Sequence, residues 1–353
     1  MKAWLFLEDG MRYEGVHFGF IGRASGEIVF TTGMTGYPES LTDPSFAGQI
    51  LVMTYPLIGN YGVPKRTYVQ KDIVANFESK TIWVNGVVIA DLCEIPSHIK
   101  SNESFDAWLT RNKISALMGI DTRALTQHIR EKGTMKSIIS TDSSKPKFSP
   151  RESEELVAMV SSKTVTTYKP FKKRSKRIAL IDCGVKHGIL RTLLELGHEV
   201  TRVPWNINPL DIGSFDGVVA SNGPGDPKQC EVTVAHIRKI LTKNIPFLGI
   251  CLGHQLMSLA VGADTYKLPY GHRGLNQPCQ DMTRGKAYIT SQNHGYAVNP
   301  KTLPKAYTEW FINLNDGTNE GIRHRGKRIA SVQFHPEGSP GPFDTVKLFR
   351  IFD

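Results

Sequence analysis

From residue 178 onward the chain repeats one unit: a short apolar run, a turn containing glycine, and a stretch of helical period. Residues 178–181 precede Gly184 and a segment in which Ile189, Leu190, Leu193, Leu194 and Leu196 share one face before Gly197. Residues 217–220 lead into Asn222-Gly223-Pro224-Gly225-Asp226-Pro227 and a helical pattern at 232–241, and residues 246–250 lead into another at 252–260. Short continuous apolar runs suit strands buried on both faces. Their alternation with helices predicts an α/β fold, with an open, mostly parallel sheet flanked by helices.

The preceding part of the chain lacks that regularity. β-rich runs at 27–31, 49–54 and 82–90 are mixed with glycine turns and with helical patterns at 105–110 and 122–131, which reads as a compact α+β domain. A chain of 353 residues is long enough for two cores. Residues 146–176, rich in Ser, Pro and charge, read as a linker interrupted by a short helix near 152–160. The expected domains are therefore 1–145 and 177–353.

Charge is easily over-read here. The formal net charge is +10, but Lys169, Lys172, Lys173, Arg174, Lys176 and Arg177 hold six of those charges in a single stretch. A solvated connection explains that run, and a nucleic-acid site is the alternative. No apolar run approaches the ~18 residues of a membrane span. The five cysteines form no CxxC pair, so the expected compartment is a reducing cytoplasm.

The chemistry concentrates in Gly249-Ile250-Cys251-Leu252-Gly253-His254-Gln255. Cys251 follows a buried strand and opens a helix between two glycines, the layout of a nucleophile elbow. Free N–H groups at the helix start favour a thiolate, and the N–H of Leu252 can stabilise an oxyanion. A buried structural cysteine is the other reading of this segment alone. A further strand at 329–334 delivers His335-Pro336-Glu337, in which a His can act as base to the thiol while a carboxylate two residues on orients it. Residues 221–227 place glycine-rich backbone after a third strand, as an ordinary turn or as oxyanion donors. They lack the Lys-Ser/Thr ending of a P-loop. The eleven histidines show no HExxH or comparable spacing, so no metal is expected in this chain.

These segments, with Asn293-His294-Gly295-Tyr296, resemble the class I (triad) glutamine amidotransferases. The first half is similar to the carbamoyl-phosphate synthase small-subunit family in Gly26-Glu27-Ile28-Val29-Phe30-Thr31-Thr32, Leu41-Thr42-Asp43-Pro44-Ser45, Thr54-Tyr55-Pro56-Leu57-Ile58-Gly59-Asn60-Tyr61-Gly62 and Gly119-Ile120-Asp121-Thr122-Arg123. The resemblance implies a glutaminase subunit that hydrolyses glutamine to glutamate and ammonia through a Cys251 thioester. His335 would be the base and Glu337 its orienting group. Leu252 and Gly223 would be oxyanion donors, and Ser45, Gly225, Gln255, Asn293, Gly295 and Tyr296 would hold the glutamine. It also implies a heterodimer with a large subunit that receives the ammonia. That subunit would carry the ATP and divalent metal and make carbamoyl phosphate from bicarbonate for arginine and pyrimidine synthesis. No cofactor is expected in this chain. The competing readings are a glutaminase serving another synthetase and a non-catalytic basic binding protein.

The sequence departs from the family pattern in places. The family usually has Arg-Asn after the lysine of Asp182-Cys183-Gly184-Val185-Lys186, where this chain has His187-Gly188; Gly338 stands where alanine is more usual after His-Pro-Glu, and Leu275 where a small residue is usual. His272 and Arg273 are expected in a polar turn. The last helix is expected to be short.

Overall fold

The computed structural model of the chain describes residues 1–144, 146–148, 156–173 and 176–353. The first turns of the expected helix at 152–160, and Arg174 of the basic run, lie outside those residues. The chain forms two compact units: Met1–Thr67 with Lys80–Glu154, and Tyr68–Ser79 with Glu155–Asp353.

The first unit is a closed barrel built from β1 (Lys2–Leu7), β2 (Arg12–Gly19), β3 (Ala24–Thr31), β4 (Gln49–Met53), β5 (Gly86–Val88), β6 (Ser115–Met118) and β7 (Lys136–Ser140), in the order β1-β7-β3-β4-β5-β6-β2. Closure leaves no open sheet edge. Helix α1 (Tyr37–Thr42) leads into a turn at Pro44–Phe46, and α2 (Phe105–Arg111) and α3 (Thr122–Lys132) follow. Local chemistry fixes their ends. The Asp121 carboxylate accepts from the Ala124 N–H at 2.9 Å, Arg130 and Lys132 lie at the negative end of α3, and Gly133 stops it at φ 87°. Buried Leu125 and Ile129 are the apolar stripe of that helix. Barrel closure pairs strands distant in the sequence, which periodicity alone does not reveal.

The second unit centres on a ten-stranded sheet. Its strands are β8 (Thr166–Tyr168), β9 (Arg177–Asp182), β10 (Glu199–Pro204), β11 (Gly217–Ala220), β12 (Phe247–Ile250), β13 (Asp264–Asp281), β14 (Lys286–Asn299), β15 (Tyr307–Asn313), β16 (Asn319–His324) and β17 (Ile329–Val332), ordered β8-β10-β9-β11-β12-β17-β16-β14-β13-β15. Strands β10, β9, β11, β12 and β17 run parallel. Period-two alternation sorts their side chains. Ala179, Ile181, Val218 and Phe247 pack on one face with α6 (Glu231–Thr242) and α7 (Leu252–Ala260). Ile178, Leu180, Val219 and Leu248 pack on the other face with α5 (His187–Glu195) and with Phe349 and Phe352 of the terminal 3-10 helix Val346–Phe352.

Two features differ from the sequence reading. Beyond β17 the sheet continues as an antiparallel extension, β13 to β16, whose long strands carry β-bulges between Lys267 and His272 and between Gly274 and Gln277. Polar residues fill its interior, so it lacks the apolar periodicity of the parallel part. The expected linker is also partly ordered structure of the second unit. Helix α4 (Leu156–Val160) buries Val157, and β8 pairs antiparallel with β10 and buries Tyr168. The hairpin Tyr68–Gln70/Ile73–Val74 joins the same unit, with Ile73 in its core.

Candidate active site

Cys251 sits between β12 and α7 at φ 54°, ψ −105°, a conformation that L-residues rarely adopt. Its flanks explain why the sequence has glycine there. A Cβ on Gly249 would lie 2.5 Å from the Gly253 carbonyl oxygen, and one on Gly253 would collide with the Ala220 carbonyl. The turn aims the thiol at the carboxyl end of the parallel strands, where it donates to the Asn293 carbonyl at 3.5 Å and accepts from Gln333 Nε2 at 3.6 Å.

The backbone N–H groups of Leu252 and Gly223 donate no hydrogen bond among the described residues, although both residues are close together under the sulfur's helix. A Cβ on Gly223 would strike the Cys183 carbonyl, so this loop requires glycine to approach β9. Gly225 follows at φ +88°. Two unused donors beside a nucleophile are the components of an oxyanion site.

His335 emerges just after β17 and is tied to β14 through its N–H, which donates to the Ser291 carbonyl at 2.9 Å. Its Nδ1 meets Glu337 Oε1 at 2.7 Å, while Nε2 has no hydrogen-bond partner among the described residues. Burial and the Lys186 cation oppose protonation of this ring, but the Glu337 carboxylate, by its charge and its hydrogen bond, overcomes them and holds its pKa above the ordinary imidazole value. Glu337 is fully buried. Desolvation pushes its pKa up, and Lys186 and His335 more than reverse that, so it stays ionised.

Lys186 is a further member of this group. Its Nζ lies 2.9 Å from Glu337 Oε1 and donates to the Gly338 carbonyl at 3.2 Å, in a side chain only 2% exposed. A lysine directly after an apolar strand and a glycine turn is the only signal that pointed to it. Gly338 has φ +72°, which suits glycine better than the alanine usual in the family.

Behind this group lies a second buried pair. Glu78 Oε1 meets Arg191 Nη2 at 2.6 Å and accepts from Ser339 Oγ at 2.6 Å, and its Oε2 accepts from the Gly188 N–H at 2.8 Å. The departure at His187-Gly188 now has a reason. His187 Nδ1 accepts from the Val74 N–H at 2.9 Å, and a Cβ on Gly188 would stand 2.9 Å from Glu78 Oε2 and 3.1 Å from Glu337 Cγ.

The remaining expected residues divide by unit. Gln255 Nε2 donates to the Tyr296 carbonyl and to Gln333 Oε1, each at 3.0 Å, which sets Asn293, Gly295 and Tyr296 of β14 beside the start of α7. Ser45 lies in the first unit, in the turn after α1, where the Asp43 carboxylate accepts from its N–H at 2.9 Å. His272 and Arg273 are not in a polar turn. Both are buried on β13, opposite His294 and Asn293 of β14, because the antiparallel extension covers them.

Known proteins match across both halves. Residues 179–353 match the family described as glutamine amidotransferase class-I, and residues 5–139 match the carbamoyl-phosphate synthase small chain, CPSase domain. The carbamoyl phosphate synthase small chain of Pyrococcus furiosus is 45% identical over 99% of this chain and 96% of its own length. The chain belongs to the carbamoyl-phosphate synthase small chain family. Its relatives in this family include the arginine-specific small chain of Chaetomium globosum, 47% identical over 99% of this chain and 77% of that protein. The multifunctional protein CAD of Squalus acanthias is 48% identical over 99% of this chain, which spans 16% of that longer protein. No helix among the described residues is long and apolar enough to cross a membrane.

Proposed function

We propose that this chain is the glutaminase subunit of a carbamoyl-phosphate synthase, and that Cys251, His335 and Glu337 carry the hydrolysis. The observation that carries the reading is an elbow cysteine flanked by unused N–H groups in the same sheet as a His335–Glu337 pair at 2.7 Å. His335 takes the thiol proton as sulfur attacks the glutamine side-chain carbonyl carbon. The tetrahedral oxyanion is held by the N–H groups of Leu252 and Gly223. Its C–N bond then breaks as His335 returns the proton to departing ammonia, leaving a γ-glutamyl thioester. The same ring takes a proton from water as its oxygen attacks the thioester; the C–S bond breaks to give glutamate, and His335 returns the proton to the Cys251 sulfur.

Gly225, Gln255, Asn293, Gly295, Tyr296 and Ser45 are assigned to glutamine binding by their match to family positions. A separate large subunit, forming a heterodimer with this chain, receives the ammonia. It carries the ATP and divalent metal that turn bicarbonate into carbamoyl phosphate for arginine and pyrimidine synthesis, and this chain needs no cofactor for hydrolysis. The five free cysteines fit a cytoplasmic setting.

Cys251→Ser should abolish glutamine hydrolysis while leaving ammonia-dependent carbamoyl phosphate synthesis by the reconstituted complex intact. Retained hydrolysis in that variant would refute the mechanism. Failure of the wild-type chain to support glutamine-dependent carbamoyl phosphate formation with a family large subunit would refute the assignment.

A further inference from the structure

We infer that His272, His294 and Glu320 form a buried site for one divalent transition-metal ion, best suited to zinc. The three residues stand on β13, β14 and β16, so their sequence spacing shows no metal motif. The fold nevertheless brings one ligand atom of each within 4.8 Å of the other two. His272 Nδ1 lies 3.2 Å from Glu320 Oε1, and His294 Nε2 lies 3.7 Å from the same oxygen. Ligand atoms on a tetrahedral ion with bonds of about 2.0–2.1 Å are separated by roughly 3.3 Å, so these gaps bracket that spacing. The two rings meet edge to face, with centroids 4.9 Å apart.

Hydrogen-bond accounting gives an independent reason. His294 Nδ1 lies 2.8 Å from the Tyr296 carbonyl, which can only accept, so Nδ1 carries the proton and Nε2 presents a lone pair. That lone pair faces Glu320 Oε1 and also Gln292 Oε1 at 3.2 Å. His272 Nε2 lies 2.8 Å from the Asp316 carboxylate and donates to it, so the Nδ1 that faces Glu320 at 3.2 Å holds either a second proton or, with that proton displaced, an ion. Three atoms able to bind an ion thus converge. The Asn313 amide nitrogen lies 3.3 Å from Glu320 Oε1 and 3.5 Å from His272 Nδ1, so an ion would have this one donor to displace.

Glu320 itself is fully buried, and its Oε2 has no hydrogen-bond partner among the described residues. Leaving a buried carboxylate oxygen unsatisfied is costly, and a cation removes that cost. The outer contacts also follow the pattern of metal-binding histidines, whose second nitrogen donates to a carboxylate or a carbonyl. Two imidazoles and a carboxylate suit zinc among the common divalent ions. Asp316, with its side chain 39% exposed, gives the site a route to solvent. An ion here would fasten three strands beside Asn293 to Tyr296, with three protein ligands and a water entering from the Asp316 side as the fourth.

The test is metal analysis of the full chain expressed with zinc supplementation and passed through gel filtration with a weak chelator. About one zinc per folded chain is expected, with an at least tenfold lower content in Glu320→Gln and in His272→Asn. Cys251→Ser should retain the full content. Circular dichroism establishes that each variant is folded, and cobalt substitution of the wild type should give the visible absorption of a four-coordinate site. Less than about a tenth of an equivalent of metal in the folded wild type, or equal metal in wild type and folded variants, would overturn the site. If neither variant folds, nitrogen NMR of the zinc-supplied wild type decides. Two retained N–H protons on both His272 and His294 would leave no lone pair for an ion and would likewise overturn it.

Discussion

At the scale of single residues, the site is set by one buried cation. Lys186 keeps Glu337 ionised and at the same time disfavours a proton on His335. In Lys186→Met the second effect disappears, and the His335 ring binds its proton more tightly. With His335 acting as a base, activity rises as the ring loses that proton. The acid limb of the kcat/KM profile should therefore move to higher pH by about one unit, costing about tenfold in rate below the limb. An unchanged limb, or one displaced to lower pH, would remove Lys186 from the electrostatics of the site. Breaking the buried pair should also lower stability by about 3–5 kcal/mol, so the profile must be measured on protein shown to be folded.

At the scale of elements, the hairpin at 68–79 is held against α5 by His187, Arg191 and Glu78. Burial first, outweighing the attraction of Glu78, lowers the His187 pKa to about 4. The unfolded chain takes up that proton near pH 6.5, so the folded form loses stability as pH falls from about 6.5 toward 4, by roughly 3 kcal/mol in all. Glu78 has the opposite chemistry and the same direction. Its depressed pKa, set by Arg191 and Lys186 against burial, contributes stability that is lost only below about pH 4.5. In His187→Asn, whose side-chain oxygen can still accept from Val74, denaturant unfolding between pH 4.5 and 6.5 should lose the share of its pH dependence that one proton supplies, about 1.4 kcal/mol per pH unit, while buried His254, lowered to about 3, keeps its own share. An identical slope in the two proteins would contradict this account. The same elements mark what the sequence could disclose. Helices α3, α6 and α7, the parallel strands, the elbow at Cys251 and the His335–Glu337 pair all follow from local pattern, because their periodicity or spacing is contiguous. Lys186, Glu78 and the His272–His294–Glu320 group were hidden, because each depends on strands or a hairpin brought together from distant parts of the chain.

At the scale of the whole molecule, the excess of +10 asks whether long-range charge matters to function. Lys169, Lys172 and Lys173 are exposed, while the backbone beneath them is tied down: the Lys169 N–H donates to Gln70 Oε1 at 2.8 Å and the Phe171 N–H to the Leu194 carbonyl at 3.1 Å. Exposed charges are screened within about 8–10 Å at physiological salt. The active-site charges, by contrast, are fixed by buried neighbours at 2.7 Å and 2.9 Å. Replacing the three lysines together with glutamine should therefore leave glutamine hydrolysis, and carbamoyl phosphate formation with the large subunit, within about twofold of wild type at both low and physiological salt. A loss of coupled synthesis beyond tenfold that grows as salt is lowered, with hydrolysis by the isolated chain unchanged, would instead make this run a docking surface for an acidic partner. Salt-sensitive retention on nucleic acid that disappears in the variant would support the binding function that the basic run suggests when the sequence is considered alone.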